Sequence, residues 1–291
     1  LKKRNLFLAV TILLVVIIVA VSAVLLARGP RESSVELIKN NQDGTLEVDD
    51  LNDGSMTIPY YDIPTNSYQP EDFREAGNGV ITYEGGESYV GINVNSKTGE
   101  IDWNQVAESG VDFAMIRVGY RGKGDGNIVL DTNFQANITG ATEANIPVGV
   151  YFYSKAVTDD EADKEATFVL EQIRGYNVTY PIAFFWEYDT TSDGSVDQSS
   201  RTVQCNGDQV TGFIDTFCNK VEMAGFTATK TMAYDKLDLS RLTNYDLWYA
   251  EYASKPSFYY DFGMWQYTDE GTVPGISTSV PITLALKSYK K

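Results

Sequence analysis

From Tyr89 to Thr268 the sequence repeats short β-rich apolar runs with helix-like stretches between the early ones, and few folds accommodate that rhythm. The apolar runs are Tyr89–Val94, Phe113–Tyr120, Pro147–Ser154, Pro181–Tyr188, Ala228–Tyr234, Asp246–Tyr252 and Gly263–Thr268. The intervening stretches Asn104–Ser109, Thr132–Ala144, Asp159–Ile173 and Asp208–Ala224 have helical character. Thr158-Asp159-Asp160-Glu161 has a capping-box pattern, and Gly110, Asn145, Gly175 and Gly225 stand where helices should stop. Strand–helix repetition of this length predicts a parallel sheet, open or closed into a barrel. The late strands follow one another without full helices, which favours an irregular β/α barrel of the TIM-like kind. In such a barrel the functional residues lie at the C-terminal ends of the strands.

The N-terminal segment is of another character. Leu6 to Ala27 is an uncharged run of 22 residues with Thr11 and Ser22 as its polar interruptions. As a helix it would span roughly 30 Å, the thickness of a bilayer's hydrocarbon core. Lys2, Lys3 and Arg4 precede it, so the positive-inside rule predicts a cytoplasmic N-terminus and an extracytoplasmic remainder. A cleaved signal peptide is the competing reading, but the run exceeds the usual apolar length of about 7–15 residues. The expected organisation is a cytoplasmic tip and transmembrane anchor over 1–28, a polar extracytoplasmic stalk over 29–87, and a barrel over 88–291. Within the stalk, turn pairs such as Asp43-Gly44 and Asp53-Gly54 separate a short helix near Val35–Asn40 from extended pieces. The last extended piece, around Val80–Tyr83, is expected to pair with the barrel.

Charge and composition exclude several chemistries. The chain of 291 residues has 23 Lys and Arg against 40 Asp and Glu, for a net charge of −17. Such a surface repels phosphate backbones, so no nucleic-acid partner is expected. There is no histidine, which removes Ser-His-Asp catalysis, His-ligated zinc and any imidazole proton transfer. The two cysteines, Cys205 and Cys218, are too few for a four-Cys metal site, and no metal or cofactor is expected. They flank or lie within one predicted helix, where a continuous helical rise would hold them too far apart to bond, so buried free thiols are expected.

The strand ends carry the candidate chemistry. They supply the aromatics Tyr120, Tyr153, Tyr188, Tyr234, Trp248 and Trp265, the amides Asn93 and Gln266, and the carboxylate Glu187. Aromatic platforms with hydrogen-bonding tips suit a carbohydrate cleft. Glu251, near the end of a late strand, is the first candidate for a second carboxylate, and Asp189 is the next.

The same stretches resemble glycoside hydrolase family 25, the lysozyme-type muramidases. The resemblance rests on Tyr89-Val90-Gly91-Ile92-Asn93-Val94, Gly99-Glu100-Ile101-Asp102-Trp103, Phe113 through Tyr120, Val148 through Ser154, Tyr180-Pro181 through Tyr188, and Met264-Trp265-Gln266-Tyr267-Thr268. These occur in the family's order over about residues 89–286. The resemblance implies an irregular β/α barrel and a peptidoglycan substrate, cleaved between N-acetylmuramic acid and N-acetylglucosamine. It implies an Asp-x-Glu pair at the end of strand four, a further Asp on strand one, and another near the last strand. Glu187 stands at the general-acid position. Phe185, Asn93 and Pro281 stand where the resemblance implies Asp.

Glycoside hydrolysis needs one carboxyl to protonate the leaving oxygen and a second negative group to stabilise the developing cation. Losing a charge-stabilising group costs several kcal/mol in the transition state, and each 1.36 kcal/mol is about tenfold in rate. The sequence therefore predicts a membrane-anchored, lysozyme-like domain that binds cell-wall glycan or a protein partner with impaired or absent turnover. The alternatives are an active muramidase using Glu187 with Glu251, and a structural scaffold in a membrane complex.

Overall fold

The computed structural model describes residues 33–76 and 79–289. The apolar run Leu6–Ala27 lies outside these residues. Among the described residues no helix is long and apolar enough to cross a membrane.

Fourteen strands and five α-helices follow one another along the described chain. A three-stranded antiparallel sheet comes first: β1 (Val35–Asn40), β2 (Thr45–Asp50) and β3 (Gly54–Pro59), followed by a hairpin of β4 (Phe73–Glu75) and β5 (Ile81–Tyr83). The barrel comprises β6 (Tyr89–Val94), β7 (Phe113–Arg121), β9 (Val148–Ser154), β10 (Val178–Trp186), β11 (Ala224–Thr229), β12 (Asp246–Ala250), β13 (Met264–Gly271) and β14 (Val280–Ala285). Each pairs with the next in that order, and β14 returns to β6, which closes the ring. All pairings from β6 to β13 are parallel, while β14 is antiparallel to both neighbours. A short β8 (Ile128–Leu130) folds back on the end of β7. The helices α1 (Trp103–Glu108), α2 (Phe134–Glu143), α3 (Asp159–Gln172) and α4 (Gly207–Cys218) follow the first four parallel strands, and α5 (Lys230–Asp235) follows the fifth.

Local chemistry fixes these boundaries. Thr158 caps α3 by accepting from the Glu161 amide, and Asn206 caps α4 with Gln209 returning the bond. Gly110, Asn145 and Gly175 follow helices in the left-handed region, as the stop signals require. Gly225 does not end a helix: it lies inside β11, because α4 already stops at Cys218. The expected strand Ala228–Tyr234 is displaced in the same way. The strand ends at Thr229, whose hydroxyl caps α5, so Tyr234 is helical. The sequence reading gave no strand after Thr268. β14 was hidden by Pro281, which cannot donate to a ladder. That proline falls at an irregularity of the β13–β14 pairing, between Ile282 and Val280.

The core has two layers, one inside the barrel and one outside it. Inside, Phe113 stacks on Tyr180 with centroids 4.2 Å apart, and Met115, Tyr151, Trp248 and Met264 fill the space above. Gly91 makes this possible, since a Cβ there would meet the Phe113 ring at 2.2 Å. Outside, the helices and the N-terminal segment cover alternate side chains of the same strands, including Phe152, Phe184, Tyr249 and Trp265.

The segment read as a stalk folds onto the barrel over its described part. Val35–Asn40 is strand β1, not the expected short helix, because its backbone pairs along β2. The Tyr260 hydroxyl donates to Pro59 O at 2.6 Å, Tyr68 donates to Phe262 O at 2.9 Å, and the Phe73 ring meets Trp265 edge-on at 5.4 Å. Lys230 clasps the sheet to the barrel. Its ammonium lies 3.0 Å from both Asp50 and Glu251 and also contacts Asp53. Burial lowers the pKa of this amine, but Asp53, Glu251 and Asp50 together outweigh burial and raise it above its ordinary value. The Val80–Tyr83 piece pairs with β4 rather than with a barrel strand, and the Tyr267 hydroxyl accepts from the Ile81 amide at 3.2 Å.

Candidate active site

Successive residues of a strand face opposite sides of the sheet, and this alternation sorts the candidates. On β10, Ala183 and Phe185 face the interior, whereas Phe184 and Trp186 face the outer layer. The Phe185 ring lies 6.0 Å from Tyr151, 5.3 Å from Tyr153 and 6.5 Å from Trp248. It closes the top of the barrel interior. Glu187 follows on the same side, exposed just past the strand end, and accepts a hydrogen bond from the Tyr153 hydroxyl. Burial, and next the Glu187 charge, push the Tyr153 hydroxyl well above its ordinary pKa, so it stays a donor.

Beside this pair runs a chain of uncharged groups. Trp248 Nε1 donates to Thr283 Oγ1 at 3.1 Å, and Thr283 donates to Asn93 Oδ1 at 3.2 Å. Asn93 Nδ2 donates to Gln266 Oε1 at 2.7 Å, and Gln266 Nε2 donates to the Tyr252 hydroxyl at 2.9 Å. Asn93 is buried, and both halves of its amide are thus satisfied. Pro281 shares the interior face of β14 with Thr283 and Ala285, at the rim end of the strand. The three positions where the resemblance implies Asp, Asn93, Phe185 and Pro281, therefore all lie on the interior face towards the mouth, and none carries a charge.

The carboxylates that the sequence offers as partners for Glu187 are committed elsewhere. Asp189 pairs with the buried Lys155 ammonium at 3.1 Å and accepts from Ser200 Oγ at 2.5 Å. Lys155 also donates to the Glu187 carbonyl at 2.7 Å and lies 4.8 Å over the Tyr153 ring, so it fixes the turn that presents Glu187. Glu251 alternates with Trp248 and so lies on Tyr249's side of its strand. Its carboxylate accepts from the Ser257 amide at 2.6 Å and from Asn52 Nδ2 at 3.0 Å, and it pairs with Lys230. Asp131 binds Arg117 at 2.6 Å below the half-exposed Tyr120, over whose ring the guanidinium lies at 5.3 Å.

The aromatic candidates divide accordingly. Tyr120, Tyr153, Trp248 and the amide Gln266 belong to the mouth. Tyr188 packs edge-on against Trp186 and donates to Cys205 O at 2.6 Å, outside the barrel. Tyr234 stacks on Phe258 at 4.8 Å and accepts from the Tyr259 amide. Trp265 is fully buried between Phe73 and Tyr267. Strand alternation excludes two of these from sequence: Tyr188 is adjacent to Glu187, and Trp265 to Gln266, so neither can share its neighbour's face. The same parity from Trp248 reaches Tyr252, a mouth residue that sequence reading did not single out as a candidate. Thr283 was missed because its strand was missed. Cys205 and Cys218 are free and buried, as expected.

Chemically, this mouth offers aromatic faces, amide and hydroxyl partners, and the Glu187 carboxylate. A closed β/α barrel with this mouth at the C-terminal ends of its parallel strands has the form of a lysozyme-like glycoside hydrolase domain. The sequence profile of the glycosyl hydrolases family 25 matches residues 92–276, and the chain belongs to that family. An autolytic lysozyme of Clostridium acetobutylicum is 30% identical over 194 residues, which cover 66% of this chain and 54% of that protein. The chain thus spans about half the length of this curated relative. Among solved structures, a family 25 glycosyl hydrolase from Bacillus anthracis superposes with a TM-score of 0.58 at 20% identity, covering 71% of this chain and 92% of that one. The modular autolysin LytC of Streptococcus pneumoniae, solved with a synthetic peptidoglycan ligand, gives 0.57 at 19% identity, covering 83% and 56%.

Proposed function

We propose that this chain is a cell-wall glycan-binding member of its family whose capacity to hydrolyse the glycan is lost or strongly reduced. The observation that carries the reading is the Phe185 ring, enclosed by Tyr151, Tyr153 and Trp248 two residues before Glu187. A developing oxocarbenium ion there would meet an aromatic edge and neutral amides instead of a carboxylate. Glu187 remains as a hydrogen-bonding group for a sugar, oriented by Tyr153. Tyr252, the exposed end of the uncharged chain, presents its hydroxyl for the hydroxyl and acetamido groups of a glycan.

The relative's description as an autolytic lysozyme, and the peptidoglycan ligand of LytC, support peptidoglycan as the glycan class. The apolar run Leu6–Ala27, flanked by Lys2, Lys3 and Arg4, supports anchoring in the cell membrane with the barrel on the cell-wall side. The test incubates the full chain with purified peptidoglycan, measuring both co-sedimentation and release of reducing ends. Binding without release is the expected result. Robust release that Glu187→Gln abolishes would overturn the loss of turnover, and absence of binding would overturn the glycan assignment.

A further inference from the structure

A groove of about 470 Å³ opens beside the mouth, between the β4–β5 hairpin and the outer end of β13. It is lined by the buried Ile81, Tyr267 and Ile282 and by the exposed Glu75 and Glu270. Tyr252 also lines it, largely exposed, and its hydroxyl accepts from Gln266 of the mouth. The groove and the mouth therefore share one side chain. The hairpin half is anchored rather than loose, through the Ile81 amide on Tyr267 and the Phe73 ring on Trp265. This half lies before residue 92, outside the stretch that matches the family.

The charges along the groove have one sign. Among the described residues no Lys or Arg lines it, and neither Glu75 nor Glu270 forms an ion pair with another of them. Asp269 lies close enough to Tyr252 to add to the burial that raises its hydroxyl pKa. Aromatic side chains and carboxylates along one groove suit an extended ligand with a cationic end, whose ammonium can meet both a carboxylate and a ring face.

We infer that this groove binds a short peptide bearing a primary amine, carried by the glycan that occupies the mouth. The inference rests on the glycan-binding reading for the link between the two, but not for the groove itself. Covalent connection of peptide and sugar would make the second contact intramolecular, raising affinity without changing either site.

The test measures binding by calorimetry with the full chain, as wild type and as Glu75→Gln/Glu270→Gln. The probes are a peptide-free oligosaccharide of N-acetylglucosamine and N-acetylmuramic acid, the same glycan bearing a lysine-containing stem peptide, that compound with the lysine amine acetylated, and the peptide alone. Both substituted residues are exposed, and unchanged melting of the variant checks its fold. The expected result is about tenfold tighter binding of the amine-bearing glycan than of the bare glycan. Acetylation and the double substitution should each remove that gain, with bare-glycan affinity unchanged. If acetylation and substitution leave the gain intact, or there is none, the groove assignment is overturned while the glycan reading stands. If the glycan fails to bind but the peptide binds in an amine- and carboxylate-dependent way, the glycan reading falls and the groove stands. Binding of no probe overturns both.

Discussion

The Tyr153 hydroxyl donates to the Glu187 carboxylate while the Tyr153 ring packs 5.3 Å from Phe185. One side chain thus bridges the carboxylate retained at the mouth and the ring that stands two residues before it. Tyr153→Phe keeps the packing and removes the hydroxyl. A hydrogen bond to a charged group contributes about 1.5–3 kcal/mol, part of which orients Glu187 towards a ligand. Peptidoglycan affinity is expected to fall about fivefold, with melting temperature within a few degrees of wild type. Unchanged affinity in a sedimentation titration would show that Glu187 needs no such guide.

If missing carboxylates alone limit turnover, restoring them should recover some. Asn93→Asp is accommodated by rotating the Gln266 amide, so that Nε2 donates to the new carboxylate and Tyr252 donates to Oε1. Phe185→Asp removes the ring that fills the interior beside Tyr151 and Trp248, and Pro281→Asp restores a charge at the rim. The triple variant should release reducing ends above the wild-type background, with the Asn93→Asp and Pro281→Asp single variants near that background, since the Phe185 ring still fills the interior in both. The triple variant will be less stable by about 2–4 kcal/mol, from the lost packing of a half-buried ring and the burial of charge. A folded triple variant without activity would mean that binding geometry, and not charge alone, has diverged.

Lys230 holds Asp50, Asp53 and Glu251 together, and a neutral replacement leaves the buried Asp50 carboxylate without its cation. Lys230→Met should destabilise the protein by about 3 kcal/mol. The loss should appear first as loosening of the N-terminal sheet from the barrel. Limited proteolysis would then cut near residues 51–54 in the variant under conditions where the wild type survives. Equal protease resistance would assign the docking to the aromatic contacts of Tyr260, Tyr68 and Phe73 instead.

Glu165 lies fully buried on α3 against Arg121. Burial pushes its pKa up to about 7, the nearby Arg121 charge only partly opposing the shift. The unfolded carboxyl titrates near its ordinary value of 4.5. Between pH 4.5 and 7 the folded state therefore holds the extra proton, and stability falls as pH rises through that window. Glu165→Gln keeps an acceptor for Arg121 and abolishes the titration. Its chemical-denaturation stability should decline less between pH 5 and 7.5 than that of the wild type. Parallel declines would mean that the carboxylate is ionised throughout.

Much of the barrel was legible in the sequence because its signals are local. Tyr89–Val94 appears at its expected bounds, and Phe113–Tyr120 and Asp159–Ile173 to within a residue, since apolar runs and capping residues act over a few positions. Strand parity was equally legible: Phe185, which stands where the resemblance implies Asp, had to share the face of Glu187 two residues on, and it does.

Contacts between distant parts of the chain were decided by the tertiary structure. Val35–Asn40 is a strand because β2 offers it a ladder, and Glu251 is turned from the mouth because Asn52 and Lys230, far away in sequence, hold it. Tyr234 left the rim when the Thr229 cap turned a strand into a helix, and β14 formed despite Pro281 because β6 and β13 each needed a partner to close the ring. Local patterning determined which elements this chain makes, and its resemblance to family 25 implied which charges its mouth lacks. Which face each side chain presents, and what covers the outside of the barrel, was settled by strand register and long-range pairing, because those free energies exist only once the ring is closed.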